Sequence, residues 1–157
     1  MSNNYQIRTF KEEDLKYGLN LAWNVFLEFV APDYTYEGVD NFKQFIDYNS
    51  MLELYKNKTM DFWGCFDGDE IVGVMATRNT NHIALLFVNK SYHNQYIAAN
   101  LFSKLTIYLK DFALVNRITV NASPYAIDFY RKLGFLDLDN ETNANGMKFT
   151  PMEYFIN

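Results

Sequence analysis

The chain has 157 residues, the size of one ordinary domain. Its 49% hydrophobic and 18% aromatic content supplies a core and excludes a disordered chain. A formal net charge of −5 at pH 7 argues against a dominant role in nucleic-acid binding, which normally needs a basic face, and weakly favours cationic ligands.

Seven glycines are present, none of them between Gly73 and Gly134, so that stretch holds no Gly-rich phosphate loop. No GxGxxG or Walker pattern occurs elsewhere. Cys65 is the only cysteine, which rules out an internal disulfide and suits a reducing compartment. His82 and His93 are the only histidines, too few for a zinc cluster, so no metal is expected. The start, MSNNYQIRTFKEED, lacks the apolar stretch of a signal peptide. No apolar run approaches the ~20 residues of a spanning helix. The expectation is a soluble cytoplasmic protein with no nucleic-acid or membrane partner.

Tyr5–Phe10 alternates and reads as a first strand. Lys11–Val30 carries Leu15, Leu19, Ala22, Trp23, Phe26 and Phe29 at helical spacing, with Pro32 just past its end. Glu37–Tyr48 reads as a second helix. Asp61–Phe66 and Ile71–Thr77 read as strands joined through the turn Asp67-Gly68-Asp69-Glu70. His82–Val88 is a further strand, apolar on both faces and therefore central in a sheet. Gln95–Phe112 is a helix, Ile118–Asn121 a strand and Tyr125–Leu133 a short helix. Leu136–Asn140 and Met147–Phe155 form a tail hairpin, with Asn145-Gly146 near its turn. This order predicts one α/β (α+β) domain over residues 1–157 with a mixed sheet.

The segment from Ile118 to Phe135 is the most informative. It reads as a strand ending at Asn121, a polar turn, and a helix capped by Gly134. Read from the residues alone, Phe129 and Tyr130 serve equally as core aromatics. Asn121, Ala126, Phe129-Tyr130, Lys132 and Gly134-Phe135 resemble the N-xxxx-A-xx-FY-x-K-x-GF signature of the GNAT (Gcn5-related) N-acetyltransferase superfamily. The element order is similar to that fold along nearly the whole chain.

The resemblance implies the GNAT fold. That is a mixed, mostly antiparallel sheet of about seven strands with a splayed parallel pair, flanked by four to five helices. It implies acetyl-CoA as cosubstrate, direct transfer to a primary amine of a small molecule or peptide, and room for a homodimer. Main-chain groups of Leu86, Phe87 and Val88 would pair with the pantetheine arm. His93-Asn94-Gln95-Tyr96-Ile97-Ala98, followed by Ala99, align with the pyrophosphate loop. Tyr96 stands there at the central glycine position, so its side chain must point away or the phosphates must shift. Asn94 is otherwise an ordinary helix N-cap. Ala126, Phe129 and Lys132 complete the cofactor side.

Tyr130 matches the family's general acid, a phenol able to protonate a departing thiolate. Asn121 would hold the cofactor amide or a water, or simply end a strand. The base is open between His82, Glu28 and a water chain. On the acceptor side, Trp23, Glu28, Asp33 and Tyr34 combine aromatic faces with carboxylates that suit a cationic amine. Cys65 reads as a buried strand residue. The other function class left open is a GNAT-like binding module without catalysis, motivated by Tyr96.

Overall fold

The computed structural model describes residues 4–157. It contains eight strands: β1 (Tyr5–Thr9), β2 (Met60–Asp67), β3 (Glu70–Arg78), β4 (His82–Val88), β5 (Arg117–Ala122), β6 (Leu136–Asp137), β7 (Thr142–Ala144) and β8 (Met147–Phe155). Five α-helices accompany them: α1 (Leu15–Val25), α2 (Tyr36–Phe45), α3 (Tyr48–Lys56), α4 (Ile97–Tyr108) and α5 (Ile127–Leu133). The sheet order is β1-β2-β3-β4-β5-β8-β6, and β7 pairs with β8 off that path. The pairs are antiparallel except β4–β5, which is parallel.

Two cores lie on the two faces of this sheet. Leu15, Leu19, Ala22 and Val25 recur on one stripe of α1 and pack with Ile46, Met51, Phe62, Val74 and Leu85. On the other face, Leu101, Phe102, Leu105 and Leu109 pack with Val72, Met75, Ile118, Tyr130 and Phe135. Covered on both faces, β3 and β4 read as continuous apolar runs. Each fully buried Leu or Phe contributes roughly 1.5–3 kcal/mol by leaving water.

The differences from the expected elements have local causes. Residues 49–60 carried no expected element, yet α3 forms there. Asp47 ends α2's neighbourhood and starts α3, its carboxylate accepting from Ser50 N–H at 3.1 Å. The expected helix Glu37–Tyr48 is therefore shorter, and Thr35 caps it through Gly38 N–H at 3.3 Å. The tail hairpin also changes partners. Asn145 and Gly146, both at positive φ, join β7 to β8, and β6 pairs with the far half of β8. This adds the eighth strand. Gly146 must be glycine, because a Cβ there would sit 1.9 Å from Thr35 Oγ1.

After Val25, α1 continues as one wide turn, Phe26–Val30, and a tight one, Ala31–Asp33. The wide turn carries Phe26, Phe29 and Val30 toward the end of β4.

Candidate active site

The parallel pair is short. Only His82↔Thr119 and Ile83↔Val120 are in register. Beyond them β4 stays with β3, through Leu86↔Met75, Phe87↔Val74 and Val88↔Gly73. Meanwhile β5 stays with β8, ending at Ala122↔Thr150. The divergence begins at a bulge: the register passes from Thr77↔Ile83 to Ala76↔Leu85, so Ala84 has no opposite residue. Ala84 and Leu85 both turn to the α1 face as a result.

This opens a V whose left wall is the free edge of β4. Asn89 N–H donates to Val72 O at 2.8 Å. By antiparallel alternation, the backbone groups of Phe87 then face β3, whereas those of Leu86 and Val88 face the V. Phe87 thus contributes its ring, in edge contact with Phe42 at 6.0 Å, and not its main chain. The Val88 carbonyl already accepts from His93 Nε2 at 2.8 Å.

A cleft of about 520 Å³ fills the V. Leu86, Phe87, Val88, His93, Asn94, Tyr96, Ile97, Ala98, Ala99, Ala126, Phe129, Tyr130 and Lys132, all expected on the cofactor side, line it. Gln95 and Asn121 do not. The Gln95 side chain is hydrogen-bonded to the Tyr5 hydroxyl, turned toward β1. Asn121 is exposed and borders a second, smaller cavity.

At the mouth, α4 begins at Ile97, and its N-cap is Tyr96 rather than Asn94. The first bond into the helix runs from Asn100 N–H to Tyr96 O at 2.9 Å. The amides of Ile97, Ala98 and Ala99 therefore have no partner within the helix and can receive phosphate. Tyr96 has φ +61° and Asn94 has φ +63°. Tyr96 adopts the backbone a glycine would, at a cost of roughly 1–2 kcal/mol, and its side chain is 79% exposed.

Tyr130 is only 4% exposed, wedged between Phe129 and Phe135, each with ring centroids at 5.2 Å. The αL cap at Gly134, with Phe135 N–H donating to Tyr130 O at 3.0 Å, holds α5 in place behind it. Burial pushes its phenol above the usual tyrosine range, so it stays protonated.

The smaller cavity, of about 120 Å³, shares Leu86, Phe87, Tyr125, Ala126 and Tyr130 with the cleft. Tyr34 lines it. Trp23, Glu28 and Asp33 line neither cavity. Trp23 stacks on Phe26 at 5.7 Å, behind the wall. Glu28 is paired with Lys90 at 2.7 Å, and Asp33 is exposed. His82 lies at the closed end of the V, its Nδ1 2.8 Å from Thr119 Oγ1, and borders neither cavity. Burial, then the nearby Arg78 charge, lowers its pKa. Burial pushes the Cys65 thiol up to about 11, which fits an unreactive core position.

Sequence reasoning missed Phe42, Ser123 and Tyr125 as site residues. Tyr125 stacks on Phe29 at 4.9 Å and lines both cavities. Its one local signal is its place after Pro124, in the turn that begins α5. Among the described residues, no group of three or more His, Cys, Asp or Glu could hold a metal. No helix there is long and apolar enough to cross a membrane.

A parallel strand pair splayed at a bulge, with a free helix start at its mouth and a buried tyrosine beside it, defines a GNAT-type acetyltransferase domain. The chain matches the Acetyltransferase (GNAT) domain over residues 30–156 and belongs to that family. No curated protein matches it. Solved structures share the fold. A GCN5-related N-acetyltransferase from Rhodopseudomonas palustris superimposes with a TM-score of 0.82 at 21% identity, covering 99% of this chain and 98% of that one. The PaiA N-acetyltransferase of Thermoplasma acidophilum, solved with coenzyme A, gives 0.79 at 19% identity, covering 99% of each chain. Spermidine N-acetyltransferase of Vibrio cholerae, solved with CoA and spermine, gives 0.67 at 14%, covering 98% and 96%.

Proposed function

We propose that the chain transfers an acetyl group from acetyl-CoA to a primary amine bound with it in a ternary complex. The observation that carries this reading is Tyr130, a buried, protonated phenol on the boundary between the large cleft and the small cavity. Acetyl-CoA supplies the acetyl thioester and leaves as the free thiol.

The chain's own groups fit that cosubstrate. The amides of Ile97, Ala98 and Ala99 are available for the pyrophosphate, and Lys132 lies on the rim for a phosphate. The outward amides of Leu86 and Val88 would hold the pantetheine arm and polarise the thioester carbonyl. Tyr130 would give its hydroxyl proton to the departing sulfur as the carbon–nitrogen bond forms and the carbon–sulfur bond breaks, and would regain a proton from water afterwards.

No carboxylate or imidazole lines the small cavity. The proton on the amine therefore leaves through water, and neither His82 nor Glu28 is needed as a base. The outward Tyr96 side chain and its glycine-like backbone favour an enzyme over a binding module without catalysis. Calorimetry with coenzyme A and desulfo-CoA tests the reading: micromolar binding is expected, and none at millimolar ligand would overturn it.

A further inference from the structure

We infer that the acceptor is a primary amine carrying one small apolar group and no second cation, an inference that rests on the acetyltransferase reading above. The small cavity is the only place beside Tyr130, among the cavities described, that the large cleft does not itself occupy. Its shape is held by rings packed on one another. Phe26 and Phe42 stack at 3.9 Å, Tyr34 meets Phe26 edge-on at 5.5 Å, and Phe87 meets Phe42 edge-on. Such interlocked rings present a preformed apolar wall.

Charge points the same way. Among the residues lining this cavity, none is Asp or Glu, and the polar ones are neutral: Asn121, Ser123 and the tyrosines. Neither carboxylate that sequence placed nearby lines it: Glu28, close enough to Tyr125 to act on its phenol, is held by Lys90, and Asp33, which acts on Tyr34, is exposed. A polyamine would bring a second ammonium to a cavity whose own lining residues offer it no carboxylate, so its lost hydration would go uncompensated there. A neutralised amine with an aryl or branched alkyl group meets only apolar walls and neutral hydrogen-bond partners.

Size limits the group. A cavity of ~150 Å³ lined by apolar residues takes one benzene. The 120 Å³ here, open on its Asn121 side, has room for one small ring or a branched chain of four or five carbons. The group would point inward from the Tyr125–Tyr130 boundary, leaving the nitrogen at the cleft.

The test measures kcat/KM for benzylamine, isopentylamine and spermidine by release of the thiol, alongside calorimetry with coenzyme A. The better of the two apolar amines is expected to exceed spermidine by about tenfold or more. Spermidine equal to or better than both, or coenzyme A binding with turnover of none of the three, overturns the inference and leaves the acetyltransferase reading standing. Failure of coenzyme A to bind removes both. Ser123→Asp provides a second arm, because an Asp there keeps the oxygen that caps Ala126 N–H while adding a carboxylate to the cavity. The ratio is expected to move toward spermidine by about tenfold, and an unchanged ratio overturns the assignment of this cavity to the acceptor.

Discussion

The two cavities that meet at Tyr130 are built from different parts of the chain. The large cleft is drawn by backbone: the free edge of β4, the amides that open α4, and the turn into α5. The small cavity is drawn by side chains from the end of α1, α2, β4 and the turn after β5. A backbone site tolerates substitution as long as the chain keeps its path, which is how Tyr96 can stand at a glycine position. A side-chain site changes character with every substitution. The large cleft should therefore tolerate substitution better than the small cavity.

That contrast can be broken experimentally, beginning with the largest effect. Phe26 is 1% exposed and stacks on Phe42. Phe26→Ala should cost about 3–5 kcal/mol by denaturant unfolding. In whatever fraction remains folded, the KM for the amine should rise far more than the Kd for coenzyme A. Equal losses on both sides would mean the two cavities are not separable.

Tyr130→Phe should lower kcat by ~10²-fold while leaving coenzyme A affinity nearly unchanged. Because burial raises the Tyr130 pKa, wild-type kcat should not fall on the alkaline side until above pH ~10. Correspondingly, kcat/KM should climb with pH as the free amine loses its own proton, with no inflection near pH 6–7. An inflection there would restore a histidine base.

Tyr96→Gly relieves a left-handed tyrosine and should raise stability by up to about 1 kcal/mol. Coenzyme A affinity should change by less than about threefold if, as proposed, the amides of Ile97, Ala98 and Ala99 receive the phosphates. Binding that appears only in this variant would instead favour the non-catalytic module.

The smallest effect concerns His82. Its folded pKa is lowered by burial and by Arg78, so the unfolded chain takes up a proton first as pH falls below ~6.5. The stability it contributes is present above that pH and drains away as pH drops through the folded value. Thermal melts at pH 7.5 and 5.5 should show a larger drop for the parent than for His82→Gln. Equal drops would mean that His82 is already charged in the folded protein.

Much of the fold was legible because it rests on short-range patterns. The double-faced apolar run of β4 marked a central strand, and Gly134 marked the end of α5. The element α3 was missed because Asp47 reads equally well as the interior of one long helix and the cap of a second. The residues expected on the cofactor side that line the large cleft came from short local segments, 86–88, 93–99 and 126–132. Of the residues expected on the acceptor side only Tyr34 lines the small cavity, because Lys90 holds Glu28, Asp33 faces solvent and Phe26 stacks on the Trp23 indole.

The family and most of the element order, apart from α3 and β7, were already legible in the sequence, because periodicity, turn chemistry and a compact motif act over a few residues. Tertiary structure alone decided that the parallel pair stops after two registers at the Ala84 bulge, that Phe87 turns its backbone to β3, and that Phe26, Phe42, Phe87 and Tyr34 close on one uncharged cavity. These residues are spread along the chain, and only the packing of helices on both faces of the sheet brings them together.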